Sequence, residues 1–336
     1  MGFLGHWTLI WYSSKSMIPV TILTGFLGSG KTTLLNRILT GDHGKRIAVI
    51  VNELGDIGLD DRFIARRDDD VVQLTNGCVC CSGRNDTMEV LMSLVGKLRE
   101  GEKFDHVVIE TTGLAKPASL CRFFLGDSPL KAHFALDGVV TVVDAFFGTS
   151  QMIQFREVKE QIAIADVLIL NKMDLAEERP LAQLREWMLS LNPTAPVVEA
   201  NNADVPLEKI LGIGGFDLTG KDSILDPHAH DHGHDSDIVS VSIVEERPLD
   251  RGRFIKWLDE LVAMEGGDLL RYKGILSFAE SPERTILQGV HMIRELTPGG
   301  PWPEDGEQKS ELVFIGRRLM ADVLTEGVRN SVARSR

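Results

Sequence analysis

Three of the four cysteines in this 336-residue chain lie within four positions, as Cys78, Cys80 and Cys81 of the stretch TNGCVCCSGR. Thiols this close together cannot staple distant segments, so their chemistry is local. A structural zinc site closes four ligands from two separated pairs, and the sequence holds no second CxxC pair. Neighbouring thiolates that leave coordination positions open suit a site that takes up and releases a cation. Their softness favours Zn²⁺, with Co²⁺ and Fe as alternatives. A redox relay and inert packing are the competing readings. A second ligand-rich run, HAHDHGHD, puts His228, His230, His232 and His234, four of the nine histidines, within seven residues. Neutral imidazoles are borderline ligands, and the flanking aspartates favour cations, which suits collection with fast exchange. A solvated linker that tolerates histidine is the alternative.

The segment GFLGSGKT, Gly25 to Thr32, fits G-x-x-x-x-G-K-[ST] between a strand-like and a helix-like stretch. Gly25, Gly28, Ser29 and Gly30 let successive backbone N–H groups converge on phosphate, and the helix that opens at Lys31, Thr32 and Thr33 adds its positive end. Lys31 reaches the β- and γ-phosphates, and the Thr32 hydroxyl completes a Mg²⁺ shell. Glu110, which closes HVVIE, holds Mg²⁺ directly or through water, and the Gly113 N–H of ETTG senses the γ-phosphate. Lys31, Thr32 and Glu110 are therefore the expected catalytic set. No water-activating residue is legible, so slow intrinsic turnover is expected. In NKMD, the Asp174 carboxylate can accept from the ring N–H and the exocyclic amine of guanine, a donor pair that adenine lacks. Asn171 is expected to support the other edge of the base, and the Lys172 stem to cover its face. GTP is thus expected rather than ATP. The loop NELGDIGLD brings Glu53, Asp56 and Asp60 to the first-switch position. There a carboxylate touches Mg²⁺ or a second metal, or the loop is simply acidic and solvated.

Those residues need a scaffold that brings strand ends together. The apolar runs PVTILTG, RIAVIVN, VVQLT, HVVIE, LDGVVTVVDA, DVLILNK and APVVEA alternate with stretches of helical period. That alternation predicts a mostly parallel sheet covered on both faces, with its site at the C-terminal strand ends. The fold expected is an α/β P-loop GTPase domain over 17–211, then a Gly/Asp/His-rich linker over 212–237. A smaller α+β domain with an antiparallel sheet is expected over 238–325. A basic tail, 326–336, is expected to fray, and residues 1–16 read as an atypical extension or a mis-called start.

The net charge of −13 argues against a nucleic-acid partner. No apolar run approaches the roughly 18–20 residues needed to cross a bilayer, so no membrane role is expected. Four cysteines without a secretion signal suggest a reducing, cytoplasmic setting.

Taken in order, GFLGSGKTTLLN, VNELGDIGLD, NGCVCC, ETTGLAKP and NKMD resemble the CobW-like family of GTP-dependent metallochaperones, which includes zinc chaperones and nitrile hydratase activators. The later LLRYKGILSFA also looks like that family's C-terminal domain. The resemblance covers about 17–325, and GCxCC between the P-loop and ETxG is specific to the family. It implies GTP hydrolysis coupled to metal delivery, with Cys78, Cys80 and Cys81 as the metal motif and a client metalloprotein as partner. Asp56 departs from the pattern, where the family more often shows Glu, and so does the 1–16 extension. Cobalt delivery for cobalamin synthesis, or zinc buffering with incidental GTPase activity, are the alternative functions. A P-loop kinase is opposed by NKMD, and self-association is compatible with the sequence.

Overall fold

The computed structural model describes residues 17–51, 71–75, 84–125, 128–215, 223–224, 237–303 and 307–334, with the backbone alone for 71–75 and 84–87. Its first part runs β1 (Ile18–Gly25), α1 (Lys31–Thr40), β2 (Ile47–Val51), β3 (Val71–Thr75), α2 (Arg84–Arg99), β4 (His106–Glu110), α3 (Ala118–Cys121), β5 (Phe134–Asp144), α4 (Gly148–Gln154), α5 (Arg156–Ile164), β6 (Val167–Asn171), α6 (Glu178–Leu191) and β7 (Val197–Glu199). The second part runs β8 (Ile238–Glu245), α7 (Arg251–Glu265), β9 (Leu269–Leu276), β10 (Glu283–Val290), β11 (Ile293–Pro301), β12 (Ser310–Arg317) and α8 (Ala321–Asn330).

The first seven strands form one parallel sheet in the order β3-β2-β4-β1-β5-β6-β7. HVVIE and VLILN are buried along their whole length, as strands covered on both faces must be. One face packs Val20, Ile22, Ile50, Val107 and Ile109 against Leu91 and Leu94 of α2. The other packs Leu23, Val49, Val108 and Val142 against Leu34, Leu35 and Ile38 of α1. The last five strands form an antiparallel sheet in the order β11-β10-β9-β12-β8. One of its faces packs Tyr272, Leu312 and Phe314 against Phe254 and Leu258 of α7 and Leu324 and Val328 of α8. Its other face shares a cluster with the first domain, in which Ile275, Ile286, Val313 and Ile315 join Ile162 of α5 and Leu184 and Met188 of α6.

One strand was not read from the sequence, and one expectation changes. IRELTPGGP forms the edge strand β11, which Pro298, Gly299 and Gly300 disguise. Proline is tolerated there because an edge strand has one side without ladder partners. The residues expected to fray from 326 are docked as far as Ala333, whose N–H donates to Pro248 O at 3.0 Å. α8 continues to Asn330, Val332 pairs with Leu249, and Ser331 is buried with its carbonyl accepting from Asp250 N at 2.8 Å. Backbone pairing and the apolar stripe of α8 outweigh the polar composition of that stretch.

Charge also joins the two parts. Asp166, just ahead of β6, is buried with its Oδ2 accepting from Val139 N at 2.9 Å. Its Oδ1 accepts from Arg271 Nη2 at 2.6 Å and Lys273 Nζ at 2.7 Å, both from β9. Gly215 lies flat on this carboxylate, where a Cβ would come within 2.5 Å of Asp166 Cγ. One buried carboxylate thus bonds two cations across the interface. Asp166→Ala removes a countercharge that both share, and a loss of about 3–5 kcal/mol in denaturant unfolding is expected.

A second buried polar chain crosses the parallel sheet near the strand starts. The Thr21 hydroxyl donates to Asp137 Oδ2 at 2.8 Å, so His106 must donate to Thr21 Oγ1 through Nε2, at 2.7 Å. Asp137 also accepts from Gly212 N and Gly214 N at 2.9 Å each, which anchors the start of the segment expected to be a linker. Burial, only partly offset by Asp137, pushes the His106 pKa down to about 4, with Lys45 and His43 acting in the same direction as burial. Between pH 6.5 and 4 the unfolded chain therefore binds a proton that the folded one refuses, and stability falls as pH falls. Over that window the loss is about 3 kcal/mol. Denaturant midpoints measured from pH 7 to 4 should show it, and His106→Gln should flatten the slope.

Candidate functional site

The strand ends β1, β4, β5 and β6 converge on one edge of the parallel sheet. Between β1 and α1 the chain turns through Gly25, Gly28 and Gly30, with φ of 140°, 73° and 110°. At two of these a side chain has no room as well. A Cβ on Gly25 would stand 2.2 Å from Val142 O, and one on Gly30 would stand 2.4 Å from Asn171 Nδ2. α1 starts without a side-chain cap and without an acidic residue in its first turn, so its leading N–H groups face outward with positive charge uncompensated. Ser29 Oγ is buried and has no hydrogen-bond partner among the described residues. Lys31 is folded back onto the same turn, its Nζ donating to Phe26 O at 3.0 Å. Phe26 O also accepts from Ser29 N at 3.2 Å. The turn is thus built for an anion.

Glu110, the last residue of β4, accepts from Thr32 Oγ1 through Oε1 at 2.9 Å. Gly113 presses against the turn, where a Cβ would lie 2.6 Å from Leu27 N. The expected residues of the P-loop and of ETTG are therefore brought together. Thr33 follows in the first turn of α1, half-buried.

NKMD takes a shape that its letters alone do not reveal. Asn171 spends both ends of its amide on the protein, with Nδ2 donating to Ser29 O at 2.9 Å and Oδ1 accepting from Ala203 N at 2.7 Å. The partner chemistry fixes which end is which. Asn171, expected to support the edge of a base, ties the P-loop to the 201–203 turn, and its amide nitrogen carries a second N–H besides the one given to Ser29 O. Lys172 adopts a left-handed φ of 64° and its Nζ reaches Asp144 Oδ2 at 2.7 Å. Asp144, at the end of β5, is buried and its Oδ1 also accepts from Phe146 N at 2.9 Å and Phe147 N at 3.0 Å. Asp174 is exposed, with its backbone N–H donating to Asn201 Oδ1 at 2.8 Å. Sequence reasoning did not single out Asp144, Asn201 or Ala203. The terminal Asp of LDGVVTVVDA, one strand over from NKMD, was the available signal.

Glu53, Asp56, Cys78, Cys80, Cys81, His228, His230, His232 and His234 lie outside the described residues. Among the described residues no group of three or more His, Cys, Asp or Glu could hold a metal ion. Cys121, the fourth cysteine, is buried in α3, and burial raises its thiol pKa to about 12. Among the described residues no helix is long and apolar enough to cross a membrane.

Residues 19–199 match the CobW/HypB/UreG nucleotide-binding domain, and residues 238–332 match the cobalamin synthesis protein cobW C-terminal domain. The chain belongs to the CobW/HypB/UreG family. Within this family it is 37% identical to the zinc chaperone YjiA of Escherichia coli over 304 residues, which span 90% of this chain and 95% of that one. It is 31% identical to a zinc chaperone CobW of a Sinorhizobium species, over 90% of this chain and 94% of the relative. A zinc-regulated GTPase metalloprotein activator of Dictyostelium discoideum is 30% identical, over 94% of this chain and 79% of its own length. The crystal structure of a Zn(II)-bound YjiA GTPase from E. coli superposes with a TM-score of 0.75 at 32% identity, covering 94% of this chain and 99% of that one.

The tie made by Asn171 gives an expectation independent of any ligand. Asn171→Ala leaves a buried carbonyl and a buried N–H unpaired. It should lower stability by about 2–4 kcal/mol in urea unfolding of the nucleotide-free protein.

Proposed function

We propose that this chain is a GTP-hydrolysing chaperone that binds zinc at Cys78, Cys80 and Cys81 and hands it to a client metalloprotein under nucleotide control. The observation that carries the nucleotide half is the Thr32–Glu110 contact at 2.9 Å beside an uncapped helix start. Two oxygen donors of that kind, a hydroxyl and a carboxylate, fit a hard cation such as Mg²⁺ next to a triphosphate. Bound there, Mg²⁺ neutralises charge that builds on the β- and γ-phosphate oxygens. The zinc half is supported by the sequence motif and by the relatives named above.

In this reading the N–H groups of Gly28, Gly30, Lys31 and Thr32 cradle the phosphates, and Lys31 exchanges Phe26 O for a phosphate oxygen. The Ser29 hydroxyl faces the same space. Gly113, already against the P-loop, reports whether a terminal phosphate is present. Asp174 selects guanine, while Asn171 holds the P-loop for it and the Lys172 stem, steadied by Asp144, lies along the base. Glu53 and Asp56 belong to the first switch loop. His228, His230, His232 and His234 collect metal for the thiols. The partner surface is assigned to the C-terminal domain, and a reducing cytoplasm suits the free thiols.

Linkage makes the proposal measurable. If GTP tightens zinc binding by some factor, zinc tightens GTP binding by the same factor. Zinc affinity in the presence of a non-hydrolysable GTP analogue should exceed that with GDP by about tenfold. Cys80→Ala/Cys81→Ala should abolish the difference, and Asp174→Ala should weaken guanine nucleotide binding without lowering stability. Equal zinc affinities in the two nucleotide states would sink the coupling.

A further inference from the structure

The segment that brings Gly113 to the P-loop is gripped from behind by α5. Gln161 Nε2 donates to two carbonyls of that segment, Gly113 O and Ala115 O, at 3.1 Å each. The residue is buried, and its own carbonyl accepts from Thr141 Oγ1 of β5 at 2.8 Å. Its side-chain Oε1 has no hydrogen-bond partner among the described residues. The preceding residue, Glu160, is also buried and turns to the C-terminal domain. Its carboxylate is bound by Arg317 Nη2 of β12 and by Arg156 Nε at 3.1 Å, with Lys116 Nζ of the gripped segment at 3.9 Å. Arg156 Nε also lies 3.7 Å from Asp237 Oδ2, at the threshold of β8, and Arg318 N donates to Asp237 O at 3.0 Å. Two consecutive residues of one helix thus hold the loop beside the nucleotide site and the C-terminal end of β12 in the second sheet.

We infer that Gln161 is a positioning residue for the γ-phosphate-sensing loop, and that α5 makes the placement of this loop depend on the C-terminal domain through Glu160 and Arg317. One amide nitrogen bonded to carbonyls two residues apart fixes the curvature of the loop, since neither peptide can rotate without losing its bond. Among the described residues Oε1 has no donor, so it is an acceptor that a second placement of the loop can satisfy. Loop movement towards a terminal phosphate pulls on Gln161, and a partner that displaces β12 pulls on Glu160, one residue away on the same rigid helix. This rests on the nucleotide site proposed above and deepens it, by naming what sets the loop and which domain reads it.

The test uses the full-length chain free of zinc. Affinities for GDP and for a non-hydrolysable GTP analogue are measured for wild type, Gln161→Leu, Arg317→Gln and the double variant, with melting curves alongside. Each single variant should change the ratio of the two affinities by about fivefold to tenfold while leaving GDP affinity unchanged. The double variant should change it by less than the product of the singles, as members of one pathway do. If Gln161→Leu does not fold, Arg317→Gln carries the test alone, because its side chain lies outside the nucleotide site. An unaltered ratio in folded Arg317→Gln, or equal losses for both nucleotides, overturns the inference. A shifted ratio in a protein whose zinc affinity ignores the nucleotide supports it and defeats only the zinc coupling. Failure of the wild type to bind guanine nucleotide overturns both.

Discussion

A loop that binds phosphate must keep its N–H groups turned towards one point and unshared with the rest of the protein. It cannot draw rigidity from those groups, so it must be held by its carbonyls and by close packing. Here the holding is done from the far side. Asn171 donates to Ser29 O, Phe26 O takes both Lys31 Nζ and Ser29 N, and Gly25 and Gly30 lie too close to Val142 and Asn171 to carry a side chain. The other end of Asn171 fixes Ala203, and Lys172 and Asp144 fix the turn after β5. The anion turn and the turns around Asp174 are therefore parts of one braced assembly. Loss of a brace is felt in the cradle without any change to a residue that meets phosphate.

The second sheet is joined to the first domain in two different ways. The apolar cluster containing Ile162, Met188, Ile275 and Val313 supplies adhesion without direction. Asp166, between Arg271 and Lys273, supplies direction, because a buried carboxylate tolerates few positions of its cations. α5 contributes Ile162 to the apolar cluster, and through Gln161 it also grips the ETTG loop.

Much of this was legible in the sequence, for physical reasons that differ by element. The inner parallel strands were readable because a strand buried on both faces must be an unbroken apolar run, as HVVIE and DVLIL are. The P-loop was readable because its glycines are obligatory, and the contact of Thr32 with Glu110 follows because α1, which succeeds β1, starts beside the end of the neighbouring strand β4. β11 was hidden by Pro298, Gly299 and Gly300, which mark turns everywhere except on a sheet edge. The docking of Ser331 and Val332 was hidden because it depends on backbone bonds to Asp250 and Pro248, which no side-chain pattern announces. For Asn171 the residue type was informative and the partner was not. A hydrogen bond to a carbonyl more than a hundred residues away has no trace in local spacing. Gln161 gave no signal at all, since a buried glutamine in a helix looks like any surface position.

The common core of the two sheets has a practical corollary for anyone dissecting the chain. Cutting after Gly215 to isolate the nucleotide-binding half would strip Asp166 of both its cations, and it would bare Ile162, Leu184 and Met188 to water. The sequence invites such a cut, because the stretch between the halves reads as a tether between separable modules. The packing makes them a single cooperative body, and each fragment expressed alone would carry an oily scar prone to aggregation.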